Sequence, residues 1–146
     1  MRFPVLRIST IGLLIALCPC LFSCQKPKEA KAVVTKQEFA VSKVSEHGFE
    51  VKAKGEIQNI GEADLKNIKV TGHCPSCGQS LIFGTWYISD IPKTEAEQDI
   101  ISYLPVGGKA EFSFSGVAMF MSNNKEPPQT MPEKLEIEII SFEPAT

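Results

Sequence analysis

Arginine is nearly missing from this sequence. Its two copies, Arg2 and Arg7, stand at the very start, so lysine is the only strong cation in the rest of the chain. A guanidinium fork matches phosphate and carboxylate best, and its absence argues against bidentate recognition of either. Histidine occurs twice, as His47 and His73, and tryptophan once, as Trp86. There is no glycine-rich phosphate loop, no Gly-x-Ser-x-Gly and no His-Glu-x-x-His. That removes the commonest signatures of nucleotide, ester and zinc-peptidase chemistry. The formal charge is −2 and no basic patch follows Arg7, so nucleic acid is not an expected partner. Glu136 and Glu138 alternate along a strand-like run and read as a solvated face rather than a catalytic pair.

What is present begins with an apolar run from Ile8 to Phe22, preceded by the two arginines and followed by the polar residues 25–32. The run is about 15 residues, short of the ~20 that a membrane-spanning helix needs. Charge, apolar run and small residue in that order make a secretory signal. The run closes in Leu21-Phe22-Ser23-Cys24, which resembles the lipobox of bacterial lipoproteins. There an apolar residue stands three before the cysteine and a small one just before it. The resemblance implies lipid transfer to Cys24, cleavage before it and acylation of the new N-terminus. Gln25, where aspartate would retain a lipoprotein at the inner membrane by the enterobacterial rule, implies the outer membrane. An ordinary cleaved signal with a free Cys24 is the plainer alternative. The expected organisation is a signal over 1–23, a lipidated tether over 24–32 and one domain over 33–146. Loss of 23 of the 146 residues leaves 123, with 13 lysines against 17 acids and a charge of −4, a size that suits one domain.

Alternation dominates that domain. In "FEVKAKGEIQ" the residues Phe49, Val51, Ala53, Gly55 and Ile57 share one face, and Glu50, Lys52, Lys54 and Glu56 the other. This is a strand with one wet side. Leu135, Ile137 and Ile139 repeat the pattern, as do Phe112 and Phe114, with Gly116 a bulge site before the parity changes. The apolar stretch "SLIFGTWYI", residues 80–88, reads as a central strand or one with a covered outer face. Thr94 with Glu97 forms a capping box, and Ile100, Ile101 and Leu104 follow near helical spacing, which predicts a short helix over about 95–103. Residues 122–132, with Pro127-Pro128, read as a loop. Six or seven short strands joined by polar turns predict an all-β, two-layer antiparallel sandwich with one short helix.

"GEIQNIGEADLKNIKV" (55–70) followed by "LPVGGKAEFSF" (104–114) resembles the FxLYD-type immunoglobulin-like modules of bacterial exported proteins. Those modules share an Asn-x-Gly turn, a "LxNIxV" strand and a later "LPxGxxxxF" element. The resemblance implies an immunoglobulin-like β-sandwich of about seven strands and carries no chemistry. The Cys-Pro-Ser-Cys segment is not part of the shared pattern.

Cys74 and Cys77 admit three readings. An exported compartment is oxidising, which predicts a disulfide that shapes the loop. Its ring is too small to gain much chain entropy. A thiol–disulfide active site would need an activated first cysteine, and His73 is the neighbour able to supply charge. A metal site would take Cys74, Cys77 and His73, with His47 or Met119, Met121 and Met131 as further ligands, for zinc or copper. Haem attachment is ruled out because Gly78 stands where histidine is required. Trp86 and Tyr87 are adjacent aromatics, of which one should face the core and the other is a candidate partner contact. The expected role is a non-catalytic, membrane-anchored binding or assembly module of the cell envelope without a cofactor, facing an envelope protein partner. Contacts would come from end loops around 72–80 and 121–132. The alternative is a metal-handling or thiol-redox protein.

Overall fold

The computed structural model describes residues 27–88 and 94–145. The expected signal and the lipidation at Cys24 lie outside the described residues. Eight strands are present among them: β1 (Ala32–Lys43), β2 (Gly48–Asn59), β3 (Leu65–His73), β4 (Trp86–Tyr87), β5 (Gln98–Leu104), β6 (Lys109–Phe114), β7 (Met119–Met121) and β8 (Glu136–Pro144). One sheet runs β1-β2-β7-β4, with β6 also paired to β2, and the second runs β5-β3-β8. Every ladder is antiparallel. Two such sheets closing on one apolar core make an all-β sandwich, as the alternation predicts.

The core follows the period of two on β2 and β6, while on β3 it breaks at Asn67, whose φ is +52°. Val51, Ala53 and Ile57 of β2 and Phe112 and Phe114 of β6 are buried from one sheet. Leu65, Ile68 and Val70 of β3 and Leu104 of β5 are buried from the other. Ile137 and Ile139 of β8 pack against this cluster, while Glu136 and Glu138 face water. Along β2 the partner strand is interrupted once. From Glu50↔Met119 to Ala53↔Phe114 β2 advances three residues and its partner five. The two extra residues form the bulge expected at Gly116, whose φ of +73° is open to glycine at no steric cost.

Two elements differ from the sequence reading. The capping box forms, with Thr94 N–H donating to Glu97 Oε2 at 2.7 Å. The helix is only one 3-10 turn, Glu95–Glu97, and the chain turns extended at Gln98. Residues 98–104 become β5 because β3 offers them a full ladder, from Thr71↔Gln98 to Leu65↔Leu104. Inter-strand pairing outweighs a weak helical preference. The stretch 80–88 is not a central strand: only Trp86–Tyr87 pairs, with Phe120 and Met119 of β7.

One buried side chain joins the two sheets at one end of the sandwich. Asn59, 0% exposed, donates from Nδ2 to Ala63 O at 2.9 Å and to Leu104 O at 3.1 Å. Its Oδ1 accepts from Gly61 N–H at 3.0 Å. Its backbone is paired with Gly107 and Gly108. The Asn-x-Gly turn and the Leu104-Pro105 element, which carry the family resemblance, therefore meet at this residue. The incoming chain is strapped to the same end: Glu62 N–H donates to Glu29 O at 2.6 Å, and Ile60 N–H to Lys31 O at 2.9 Å. The expected tether is thus part of the fold from Glu29 onward. Ala145 N–H donates to Asp64 O at 2.7 Å, so the C-terminus closes at this end too.

Asn59→Ala removes the Nδ2 bonds to the Ala63 and Leu104 carbonyls and one of the two acceptors of the Gly61 amide, which keeps Lys31 O at 3.1 Å. It is expected to cost about 3 kcal/mol, read by chemical denaturation. A second test uses pH. Asp64 accepts from Tyr103 Oη at 2.5 Å and from Val106 N–H at 2.9 Å. The tyrosine bond first, then the amide, holds the Asp64 carboxyl below the usual aspartate range. The same bond holds the Tyr103 hydroxyl above the usual tyrosine range. A depressed carboxylate stabilises above its unfolded pKa, and that contribution is lost as pH falls from about 4. A raised tyrosine stabilises below its unfolded pKa, and that is lost as pH rises past about 10. Asp64→Asn should flatten the acid limb of melting temperature against pH, and Tyr103→Phe the alkaline limb.

Candidate functional site

The end of the sandwich opposite Asn59 gathers most of the residues singled out in the sequence. β3 runs from Leu65, beside the strapped end, to His73, and the chain then enters a loop that returns as β4. Cys74 continues the apolar face of β3 into the core and is 1% exposed. Cys77 is half-buried against the same cluster. The two are joined in a disulfide with Cα atoms 5.4 Å apart. A tight turn places them there, with Cys77 N–H donating to Cys74 O at 3.2 Å. The pair therefore fastens the root of a loop to the core.

Backbone bonds continue from that root. Gly78 N–H donates to Trp86 O at 3.0 Å, and Ile88 N–H to Gly78 O at 2.9 Å. This is a short parallel bridge between Gly78 and Tyr87. Ser76 Oγ accepts from Lys134 N–H at 3.0 Å, tying the disulfide turn to the segment before β8. Trp86 is the second fastening. Its ring lies 5.3 Å from that of Phe120 at a 56° tilt, and its Nε1–H donates to Thr130 O at 2.9 Å. The indole thus pins loop 122–132, whose prolines deny it regular pairing, against β4. The other edge of that loop is held by His47, whose Nδ1–H donates to Ser122 O at 2.8 Å, and by the Lys125–Glu46 ion pair.

Between the two fastenings the loop projects. Leu81, Ile82 and Phe83 are 52%, 60% and 49% exposed. The turn that carries them is closed by Thr85, whose N–H and Oγ1–H both donate to Ile82 O, at 3.2 and 2.9 Å. Gly84 completes it at φ +81°, with nothing within 4 Å of where a Cβ would stand. A shallow groove of about 670 Å³ lies beside it, bounded by Ser76, Ile82, Trp86 and Met131. A groove of about 510 Å³ on the outer face of the first sheet is lined instead by Lys36, Glu38, Lys54 and Glu56. There the Glu38 and Glu56 carboxyls are held low, chiefly by hydrogen bonds from Lys54 and Lys109 respectively. The Lys54–Glu38 pair is exposed and of the kind that contributes little, while Glu56 is half-buried between Lys36 and Lys109.

The geometry bears on each sequence candidate. Trp86 and Tyr87 are both half-buried, so neither is the freely exposed aromatic expected. Three consecutive exposed apolar residues stand just before Gly84, hidden within a run that reads as a strand. The signal that distinguishes them is the glycine itself followed by threonine, a turn chemistry inside the apolar run. Cys74 and Cys77 have their sulfurs in the disulfide, and His73 points outward from the strand end, exposed. No group of three or more His, Cys, Asp or Glu side chains able to hold a metal occurs among the described residues. Met119 and Met121 are half-buried in β7, and Met131 is 36% exposed beside Trp86. No family model, curated protein or solved structure matches this chain.

The chain's one tryptophan reports on this loop. If the disulfide fastens its root, replacing both cysteines (Cys74→Ala with Cys77→Ala) should red-shift Trp86 emission and lower the melting temperature by a few degrees. Added zinc or copper should leave the wild-type emission where it is. An unshifted double variant would mean that the disulfide does not organise the loop.

Proposed function

We propose that this chain is a membrane-anchored lipoprotein of the bacterial cell envelope acting as a non-catalytic binding or assembly module. Cys24 carries the lipid, the outer membrane is the site, and an immunoglobulin-like sandwich presents its end loops to an envelope protein. The observation that carries this reading is the polarity of the sandwich. Glu29–Lys31 and the C-terminus are fastened at the Asn59 end, and the disulfide-rooted loop stands at the other. Four residues separate Cys24 from Glu29 and reach at most ~17 Å. A lipid on Cys24 therefore holds the Asn59 end near the bilayer, with stable anchoring from several acyl chains. The other end is directed away from the membrane surface.

The immunoglobulin-like reading draws support from the connectivity. β2 to β3, β5 to β6 and β7 to β8 each pass from one sheet to the other, as in Greek-key sandwiches. The thiol-redox alternative has less support. In thiol–disulfide active sites the attacking sulfur is exposed and activated. Here the first cysteine is the buried one, 1% exposed.

Metabolic labelling with radioactive palmitate tests the anchor. Label should enter the wild-type product and be lost in Cys24→Ala, which should also leave the membrane fraction. Unlabelled wild-type protein recovered at full length from the cytosol would sink the proposal.

A further inference from the structure

We infer that Leu81, Ile82 and Phe83 form a projecting apolar plug that seats in a concave, uncharged, apolar cleft of another envelope protein. The inference rests on the anchored-module reading and names the chemistry of its partner.

Three features of the loop suit it to insertion. The three side chains are consecutive and each is about half exposed or more. They are presented by a turn already closed, through Thr85 to Ile82 O and through Gly84 N–H to Met121 O at 2.8 Å. Little ordering is left for binding to impose, and pre-organisation of this kind conserves affinity. From Cys74 to Ser89 there is also no charged residue, in a chain that is 22% charged. The loop itself can therefore be dehydrated without stranding an ion, while Glu133, which lines the neighbouring groove, stays exposed at the rim. An apolar cleft is complementary to it, while a phosphate headgroup layer, which selects lysine and arginine clusters, is not.

The other occupants fail on reach and on area. In the processed chain the N-terminal segment has about 17 Å of free length before Glu29. The plug lies beyond the far end of β3, whose nine residues span ~30 Å. At the other end of the described chain, Ala145 is held at the near end through its N–H to Asp64 O. The tether does not reach the plug, and the anchoring membrane lies on the other side of the sandwich. A second copy meeting tip to tip would bury two such patches. Half of three large side chains is on the order of 300 Å² per copy, so the pair falls well short of the ~1,200 Å² of a stable interface. A cleft escapes this limit because it encloses the plug and reaches the rim around it, including Trp86 and Met131.

The test places the photo-crosslinking residue p-benzoylphenylalanine at Ser80, exposed beside the plug, in the full-length chain made in its own cells. A control chain carries it at Ile60, 49% exposed at the opposite end. The expected result is one discrete adduct from position 80 and not from position 60. Its crosslinked peptide should map to an uncharged apolar concavity of a different protein. Ile82→Asp, and independently Phe83→Asp, should each reduce that adduct at least about tenfold with the melting temperature unchanged. An adduct with the mass of two copies, an adduct with lipid alone, the same adducts at both positions, or no adduct at position 80 each overturns the plug. Palmitate incorporation measured in the same cultures separates the two readings. Label present without the position-80 adduct removes the plug and leaves the anchor, and absent label removes the anchor.

Discussion

The contact on which the molecule depends is the buried amide of Asn59. It sits where the first sheet hands the chain to the second, and it is hydrogen-bonded to both. Its Nδ2 reaches the carbonyls of Ala63, just before β3, and Leu104, the last residue of β5. Its backbone receives the Gly107-Gly108 turn that leads into β6. Apolar faces on β2 and β3 bury against one another without direction, since hydrophobic burial has none. A fully buried polar group does have direction, because each of its donors and acceptors must be met. Asn59 thereby ties two connections together, β2 to β3 and β5 to β6, at the end where Glu29, Lys31 and Ala145 are also bonded.

With both termini at that end, the other end is left for presentation. There the physical devices change. The Asn59 end is ordered by backbone and amide hydrogen bonds, whereas the opposite end lacks regular pairing over 74–85 and over 122–135. Its loops are held instead by a covalent bond to the core at Cys74, by an indole wedged between β7 and Thr130, and by the His47 hydrogen bond to Ser122 O. A disulfide across so few residues adds little through chain entropy. Its contribution here is positional, since it fixes where the loop leaves β3 and so where Leu81 to Phe83 emerge. The arrangement agrees with a scaffold-and-loop division of labour, in which sheets give rigidity and loops give contact.

The two places where local reading and structure part share one cause. Residues 98–104 have helical spacing and follow a real capping box, yet they pair with β3 because that strand would otherwise keep an open edge. Residues 80–88 have strand composition, yet Gly84 and Thr85 fold them into a turn whose apolar side chains lie outside. In the first the deciding partner is remote in sequence, and in the second the local turn is joined by a remote one, through Gly84 N–H to Met121 O. β3 lies about thirty residues before β5, and β7 about thirty after the loop.

From the chain alone come the all-β class, the inward set on β2, β6 and β8, the bulge at Gly116, the nearness of Cys74 to Cys77, and the absence of charge chemistry suited to nucleic acid. All of these are short-range facts, since side-chain alternation and turn preference are set within a few residues by backbone geometry. Only the folded arrangement decides that Asn59 is the internal joint, that Trp86 is a fastening rather than a free contact, and that Leu81, Ile82 and Phe83 stand in water at the end away from both termini. Those depend on which strands become neighbours, and an apolar residue carries no local mark of whether another sheet arrives to cover it.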